Sequence, residues 1–299
     1  MLTASCSAFF LSLRTNQESP VTTTQIEKAK KFRALHEGPG GFIIPNPWDA
    51  GTARMLTTLG FSALATTSAG FAFALGRRDG EGLVSRDDVL QHIRAIVAAS
   101  DLPVSGDLEN GFGHDPKTVA ETIRLAAEAG LVGGSIEDAT GDPQRPIYEH
   151  AHAVERVAAA VESARALPFP FTLTARAENF LHGLPNLDDT IRRLKTFASA
   201  GADVLYAPAL RTLDEIKAVC AAVAPKPVNV LIGANGLSAA DLAAAGARRI
   251  SVGSGLSRVA LSAFLSAAQE MKEHGTFSFA KGGATFTEIN NFMRGRDTN

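Results

Sequence analysis

Residues 103–113 read "PVSGDLENGFG", an apolar run that ends in Asp107 and Glu109 and is then broken by Asn110, Gly111 and Gly113. A β-rich run closed by turn-forming residues predicts a strand that stops at a loop. Side chains alternate along a strand, so Asp107 and Glu109 share one face. Two acids ending one buried strand on the same side raise a charge problem that the strand alone does not solve.

Seven further runs of the same kind lie on either side: "FIIPN" (42–46), "ALATTS" (63–68), "GGSIED" (133–138), "FTLTARAE" (171–178), "DVLYAP" (203–208), "PVNVLIG" (227–233) and "RRISVGS" (248–254). Helical patterns of roughly 10 to 15 residues separate them, which is the alternation of βα units around a parallel sheet. The joints "LGFSALATTS", "AGLVGGSIED", "AGADVLYAP" and "AGARRISVG" repeat one design, a glycine ending a helix before a buried strand. Eight units in about 250 residues predict a (β/α)8 TIM barrel as a single domain over residues 26–299. A doubly wound open sheet is disfavoured, because no G-x-G-x-x-G follows the first strand. Two helical patterns remain after the eighth strand, "LSRVALSAFLSAAQEMKEHG" and "TFTEINNFMRG". The extra C-terminal helix needs a surface to pack on, and a second subunit supplies one.

The chain has 299 residues, 45% hydrophobic and 20% charged, with a net charge of −2. Its basic residues are scattered among acids, which argues against a nucleic-acid partner. No apolar run approaches the roughly 20 residues of a membrane span. Residues 1–25 are polar and Ser/Thr-rich and read as a disordered N-terminal extension. Cys6 and Cys220 are the only cysteines, too few for a disulfide framework or a thiolate metal site, and the expected setting is reducing and cytoplasmic.

Catalytic groups of a parallel barrel stand at the C-terminal strand ends. There the sequence places Asp49 after strand one, Asp79 in the loop after strand two, Asp107 and Glu109 on strand three, Glu137 and Asp138 on strand four, and Arg176 and Glu178 on strand five. Converging carboxylates repel unless a cation lies among them. An oxygen-only donor set without a His or Cys cluster favours a hard divalent ion, Mg2+ with Mn2+ as a substitute. Asp49 and Asp138 read more simply as helix N-caps. For Arg176 the plain alternative is an ion pair with Glu178 or another rim acid.

The set "NPWDAGTARML", "TTSAGFAFALGRRDG", "GDLENGFG", "SIEDATGD" and "TARAENF" resembles the isocitrate lyase and phosphoenolpyruvate mutase superfamily, over about residues 28 to 293. The resemblance implies a Mg2+-dependent barrel that makes or breaks a bond next to a 2-oxo acid through an enolate-like species. It also implies a homodimer or homotetramer that exchanges the C-terminal helix. Carried over by position, Asp107 matches the direct metal ligand, and Asp79, Glu109 and Glu137 match residues holding metal-bound waters. The backbone of Thr67, Ser68 and Ala69 matches the turn that grips the substrate carboxylate. Arg176 and Glu137 stand as the catalytic pair, with Arg176 facing a carboxylate or developing oxyanion.

The lid departs from the family. Where the lyases carry a Lys-Lys/Arg-Cys-Gly-His segment, this chain has "EDATGDPQRPIYEHAHAVERV", with neither cysteine nor lysine, and the sixth strand ends in Pro208. Arg145, Tyr148 and His182 are the remaining candidates for moving protons, while His150 and His152 read as the solvated start of a helix. The expected function is a Mg2+-dependent carbon–carbon lyase on a small 2-oxo or 2-hydroxy carboxylate, methylisocitrate-like or dimethylmalate-like. Within the same site the alternatives are an oxaloacetate-type decarboxylase or hydrolase and a phosphonopyruvate-type mutase or hydrolase. Other classes are a phosphosugar barrel using the Gly-rich turns "LIGANGLS" and "SVGSGLS", and a non-catalytic binder of small acids. A Schiff-base aldolase lacks its strand-end lysine.

Overall fold

All eight β-rich runs form strands, each shorter than its sequence run because the polar or Gly-containing ends leave the ladder to build loops. The computed structural model describes residues 23–233 and 236–294. The strands are β1 (Phe42–Ile44), β2 (Leu64–Ala65), β3 (Val104–Asp107), β4 (Gly133–Glu137), β5 (Thr172–Arg176), β6 (Val204–Tyr206), β7 (Val228–Leu231) and β8 (Arg249–Ser251). Every ladder is parallel, in the order β1-β8-β7-β6-β5-β4-β3-β2. Between β2 and β1 the Ala65 N–H donates to Pro45 O at 3.1 Å, bringing the two edges together. This is the expected (β/α)8 barrel.

Helices α1 (Thr23–Glu37), α2 (Ala50–Thr58), α3 (Ser68–Ala74), α4 (Arg86–Ala98), α5 (Pro116–Glu128) and α6 (His150–Arg165) accompany the first half. The second half has α7 (Leu187–Ser199), α8 (Leu213–Val223), α9 (Ala239–Ala244), α10 (Gly255–His274) and α11 (Phe286–Met293). Most begin where the sequence offers an oxygen to the free N–H groups of the first turn. Asp49 caps α2 in a reciprocal box with Thr52, as its position suggests, and Ser85, Thr212 and Ser238 do the same for α4, α8 and α9.

Phe32 of α1 enters the N-terminal end of the barrel against Gly133. A Cβ there would lie 2.7 Å from the Phe32 ring and 2.8 Å from Thr172 O, so only glycine admits the plug. The outward side chains of the strands and the inner faces of the helices form the hydrophobic layer, with Ile93, Ile123, Ile136 and Leu173 in one half and Leu194, Val219, Leu205 and Ile250 in the other.

The C-terminal helix returns to its own chain: Arg54 Nη1 on α2 donates to Met293 O of α11 at 3.1 Å. Its exchange between subunits is therefore not shown. Both α10 and α11 nevertheless leave large apolar side chains in solvent, with Val259 69%, Phe264 67% and Phe286 86% exposed. No helix among the described residues is long and apolar enough to cross a membrane. The expected N-terminal extension lies mostly outside the described residues, as do Ala234 and Asn235 of the turn after β7. At the chain start, Gln25 Nε2 on α1 donates to Ala127 O and Leu131 O.

Candidate active site

The ends of three adjacent strands meet on one guanidinium. From β5, Arg176 Nη1 reaches Asp107 Oδ1 of β3 at 2.9 Å, Nη2 reaches Glu137 Oε2 of β4 at 3.1 Å, and Nε reaches Glu178 Oε1 at 2.7 Å. Asp107 is held from two more directions. Its N–H donates to Thr66 Oγ1 at 2.8 Å, and its second carboxylate oxygen accepts the Ser68 N–H at 3.1 Å. Arg176 thus forms the ion pairs anticipated for it, with three acids at once, and its carbon also lies 5.1 Å from the centre of the Tyr206 ring.

β3 ends at Asp107, so strand alternation is not what aims Glu109. Its φ of 48° places it in the left-handed region, a conformation costly for a residue with a Cβ. The turn carries Glu109 to the same mouth by another route. A cavity of about 900 Å3 there is lined by Ser68, Asp79, Glu109, Glu137 and Arg176, together with His114 and His182. Ser68, Asp79 and Arg176 also line a deeper cavity of about 260 Å3 that reaches Thr66, Thr67, Ala69, Asp107, Tyr206 and Arg249. Asp79, Asp107, Glu109, Glu137, Arg176, Thr67, Ser68 and Ala69 therefore line two cavities that share Ser68, Asp79 and Arg176 at the C-terminal ends of the strands, whereas Arg145 and Tyr148 line neither.

Crowding of like charge shows in proton affinity. Burial, then the charges of Asp107 and Asp79, push the Glu109 carboxyl up to about 7. Burial and Asp107 raise Asp79, whose carboxylate Ser68 hydrogen-bonds. Glu137 is raised well above the usual range by burial, against the pull of Arg176 and with Glu178, Asp107 and Glu109 adding to the rise. Arg176 keeps its proton despite burial, because Glu178, Glu137 and Asp107 surround it.

The donor set at the mouth is carboxylate oxygen, which suits a hard cation. Among the described residues no three acidic, His or Cys side chains converge as a ligand cage. One direct carboxylate with the other acids reached through water is compatible, and Mg2+ has that habit. Asp79, Asp107, Glu109, Glu137 and Glu178 about Arg176 supply the charge such an ion needs.

Other expectations fared differently. Asp138 is not a helix cap, because α6 starts only at His150. It is 2% exposed, accepts the Glu178 N–H at 2.8 Å and pairs with Arg193 at 3.1 Å, so it braces the ends of β4 and β5. His150 and His152 do open α6, and their rings bond Thr196 and the His114 carbonyl. Arg145 is a surface residue beside Asp142, and Tyr148 is buried with its hydroxyl 2.5 Å from His114 Nδ1. The reading of the strand ends overlooked Thr66, Asn46 and Arg249. Asn46 ties the barrel seam by accepting the N–H groups of Val252 and Gly253 and donating to Thr66 O. An inward-facing Arg on a buried strand was the available signal for Arg249.

The family model for phosphoenolpyruvate phosphomutase matches residues 32–272. The chain belongs to that family. A crystal structure from Burkholderia cenocepacia, named as a lyase/mutase, is 59% identical with a TM-score of 0.89, covering 92% of this chain and 99% of that one. The 2-methylisocitrate lyase of Escherichia coli is 31% identical over 62% of this chain and 63% of its own length. Oxaloacetate acetylhydrolase in complex with its product oxalate superposes with a TM-score of 0.81 at 26% identity, covering 90% and 94% of the two chains. Phosphoenolpyruvate mutase family relatives thus include lyases, mutases and hydrolases, and the chain shares their barrel. The loop between β4 and α6 is pinned by Thr140, whose N–H donates to Pro146 O at 2.8 Å and whose hydroxyl donates to Arg145 O at 2.6 Å.

Proposed function

We propose that the protein is a Mg2+-dependent carbon–carbon lyase acting on a small 2-oxo or 2-hydroxy carboxylate by way of an enolate. The observation that carries this reading is the mouth itself: Asp79, Asp107, Glu109 and Glu137 gathered about one buried arginine at the ends of β3, β4 and β5. Asp107 would hold the ion directly, and Asp79, Glu109 and Glu137 would hold it through water. Bound there, Mg2+ supplies Lewis-acid polarisation of the 2-oxo group.

The chain's own groups do the rest. The backbone of Thr67, Ser68 and Ala69 orients the substrate carboxylate, the Ser68 N–H exchanging Asp107 Oδ2 for a substrate oxygen. Arg176 presents fixed positive charge where negative charge develops on the enolate oxygen, and fixed charge in a water-poor site costs no reorganisation during reaction. Glu137 accepts from Arg176 through Oε2, and burial raises its proton affinity. Hydrolysis or decarboxylation of an oxaloacetate-like acid is the second reading, supported by the likeness to oxaloacetate acetylhydrolase. The proposed assembly is a homodimer or homotetramer built on the apolar faces of α10 and α11, in a reducing cytoplasmic setting.

Calorimetric titration with oxalate, a stable mimic of the pyruvate enolate, tests the site. Binding is expected only with Mg2+ present and is expected to vanish in Asp107→Ala. Oxalate binding in the presence of chelator would sink the metal assignment, and no binding under either condition would remove the enolate site.

A further inference from the structure

At the end of the barrel away from the acids lies a cavity of opposite charge. Its volume is about 810 Å3, and Thr172, Asp203, Pro227 and Arg248 at the N-terminal ends of β5, β6, β7 and β8 line it, together with the last turn of α1 and one side of α8. Five cations face this space, Arg33, Arg165, Lys217, Lys226 and Arg248, against two acids, Glu37 and Asp203. Both acids are already engaged. Glu37 Oε1 pairs with Arg33 Nε at 2.8 Å, while Asp203 gives Oδ1 to Arg165 Nη2 at 2.6 Å and Oδ2 to the Leu173 N–H at 2.8 Å.

Three cations remain without an ion pair among the described residues. Lys226 Nζ donates to Ala202 O at 2.7 Å, and Arg248 Nη1 donates to Gly38 O and Gly40 O, the ordinary use of a cation near helix C-termini. Lys217 has no such role: it is exposed inside α8 and makes no hydrogen bond or ion pair among the described residues. His36 lines the same cavity and is 7% exposed. Because the Phe32 carbonyl only accepts, Nδ1 carries the imidazole proton, and Nε2 is an acceptor without a hydrogen-bond partner among the described residues. An unpaired buried acceptor is costly, and a molecule in the cavity with an O–H or N–H would offer it a donor. Concave surfaces lined by one sign of charge concentrate the opposite ion.

We propose that this cavity is a second binding site, taking a small, multiply charged oxyanion that carries a hydroxyl group, a phosphate monoester or a polycarboxylate. Lys217, Lys226 and Arg248 supply its counter-charge. The site is independent of the enolate site, since it lies at the opposite ends of the strands and has the opposite charge. It holds whether or not the mouth takes Mg2+.

Calorimetric titration of the full chain with glycerol 3-phosphate and with citrate, both in chelator, tests the site. With no divalent ion present the acid-rich mouth repels both probes, so the heat reports the basic cavity. At least one probe is expected to bind, with an affinity that falls as salt is added. Lys217→Glu is expected to weaken binding about 10- to 100-fold, the worth of a hydrogen bond between charged groups, and Lys217→Arg to keep it. Because Lys217 is exposed and unbonded, both variants are expected to melt close to the wild type. Binding of glycerol 3-phosphate alone would assign the phosphate monoester, and binding of citrate alone the polycarboxylate. Failure of the wild type to bind either probe up to about 10 mM would overturn the site. So would binding that persists undiminished in Lys217→Glu, since the anion would then lie elsewhere.

Discussion

Taking an ionisable side chain out of water shifts its proton affinity toward the neutral form, and in this chain the shift runs in both directions. Burial pushes Asp138 up to about 7, against the Glu178 N–H and Arg193 that favour its charge. Burial pulls His36 down to about 3, and nearby Arg249 adds to the fall. His36 lies edge-on to Phe32 and Phe42 with Nδ1 2.9 Å from Phe32 O, so it stays neutral in the fold. Between pH 6.5 and 3 the unfolded chain takes up a proton at this position and the folded chain does not. Stability contributed by His36 is therefore lost as pH falls below about 6.5, amounting to about 2 kcal/mol between pH 7 and pH 5. Asp138 and Glu109 have the opposite sign, because their raised affinities take up protons in the folded state first. Comparing wild type with His36→Leu cancels those acids: the variant is expected to lose about 2 kcal/mol less between pH 7 and pH 5 in denaturant unfolding. Parallel pH profiles for the two proteins would show that His36 is protonated in the fold.

At the scale of elements, local signals did most of the placing. The β-rich runs became strands in the expected order, and Gly-ended helices led into them. Asp49 shows what such a signal means energetically, since its carboxylate accepts the Thr52 N–H at 2.7 Å and Thr52 returns the bond to the Asp49 N–H at 3.2 Å. Asp49→Ala is expected to cost about 1 kcal/mol in denaturant unfolding. Metal-dependent oxalate binding should survive, and its loss would move Asp49 from the cap into the site. Asp138 looked alike in sequence and behaves differently, because the decision rests on the length of the following loop and on Arg193 from α7. Glu109 reaches the mouth through a left-handed turn that no alternation pattern describes.

The whole molecule exposes large apolar side chains on its last two helices. Leu256, Val259, Leu261, Phe264 and Leu265 of α10 and Phe286 and Ile289 of α11 are all exposed. Exposed apolar side chains in such number are what a subunit interface covers. Sedimentation is expected to show a dimer or tetramer, and the double change Phe264→Glu with Leu265→Lys is expected to release monomers. A wild-type protein that sediments as a monomer would reject the assembly.

The sequence by itself determined the number and order of the βα units and the acid-rich rim, because strand alternation, helix caps and glycine joints act over a few residues. It also determined the family, through motifs that keep their order along the chain. Only the tertiary structure decided how those residues combine. Arg176 meets Asp107 across 69 positions of sequence, and Arg249 meets Thr174 across 75. Charge acts through space at a strength set by burial, and burial exists only once the barrel has closed. The same closure makes one arginine the hub of three acids and buries another, Arg249, with no ion pair among the described residues.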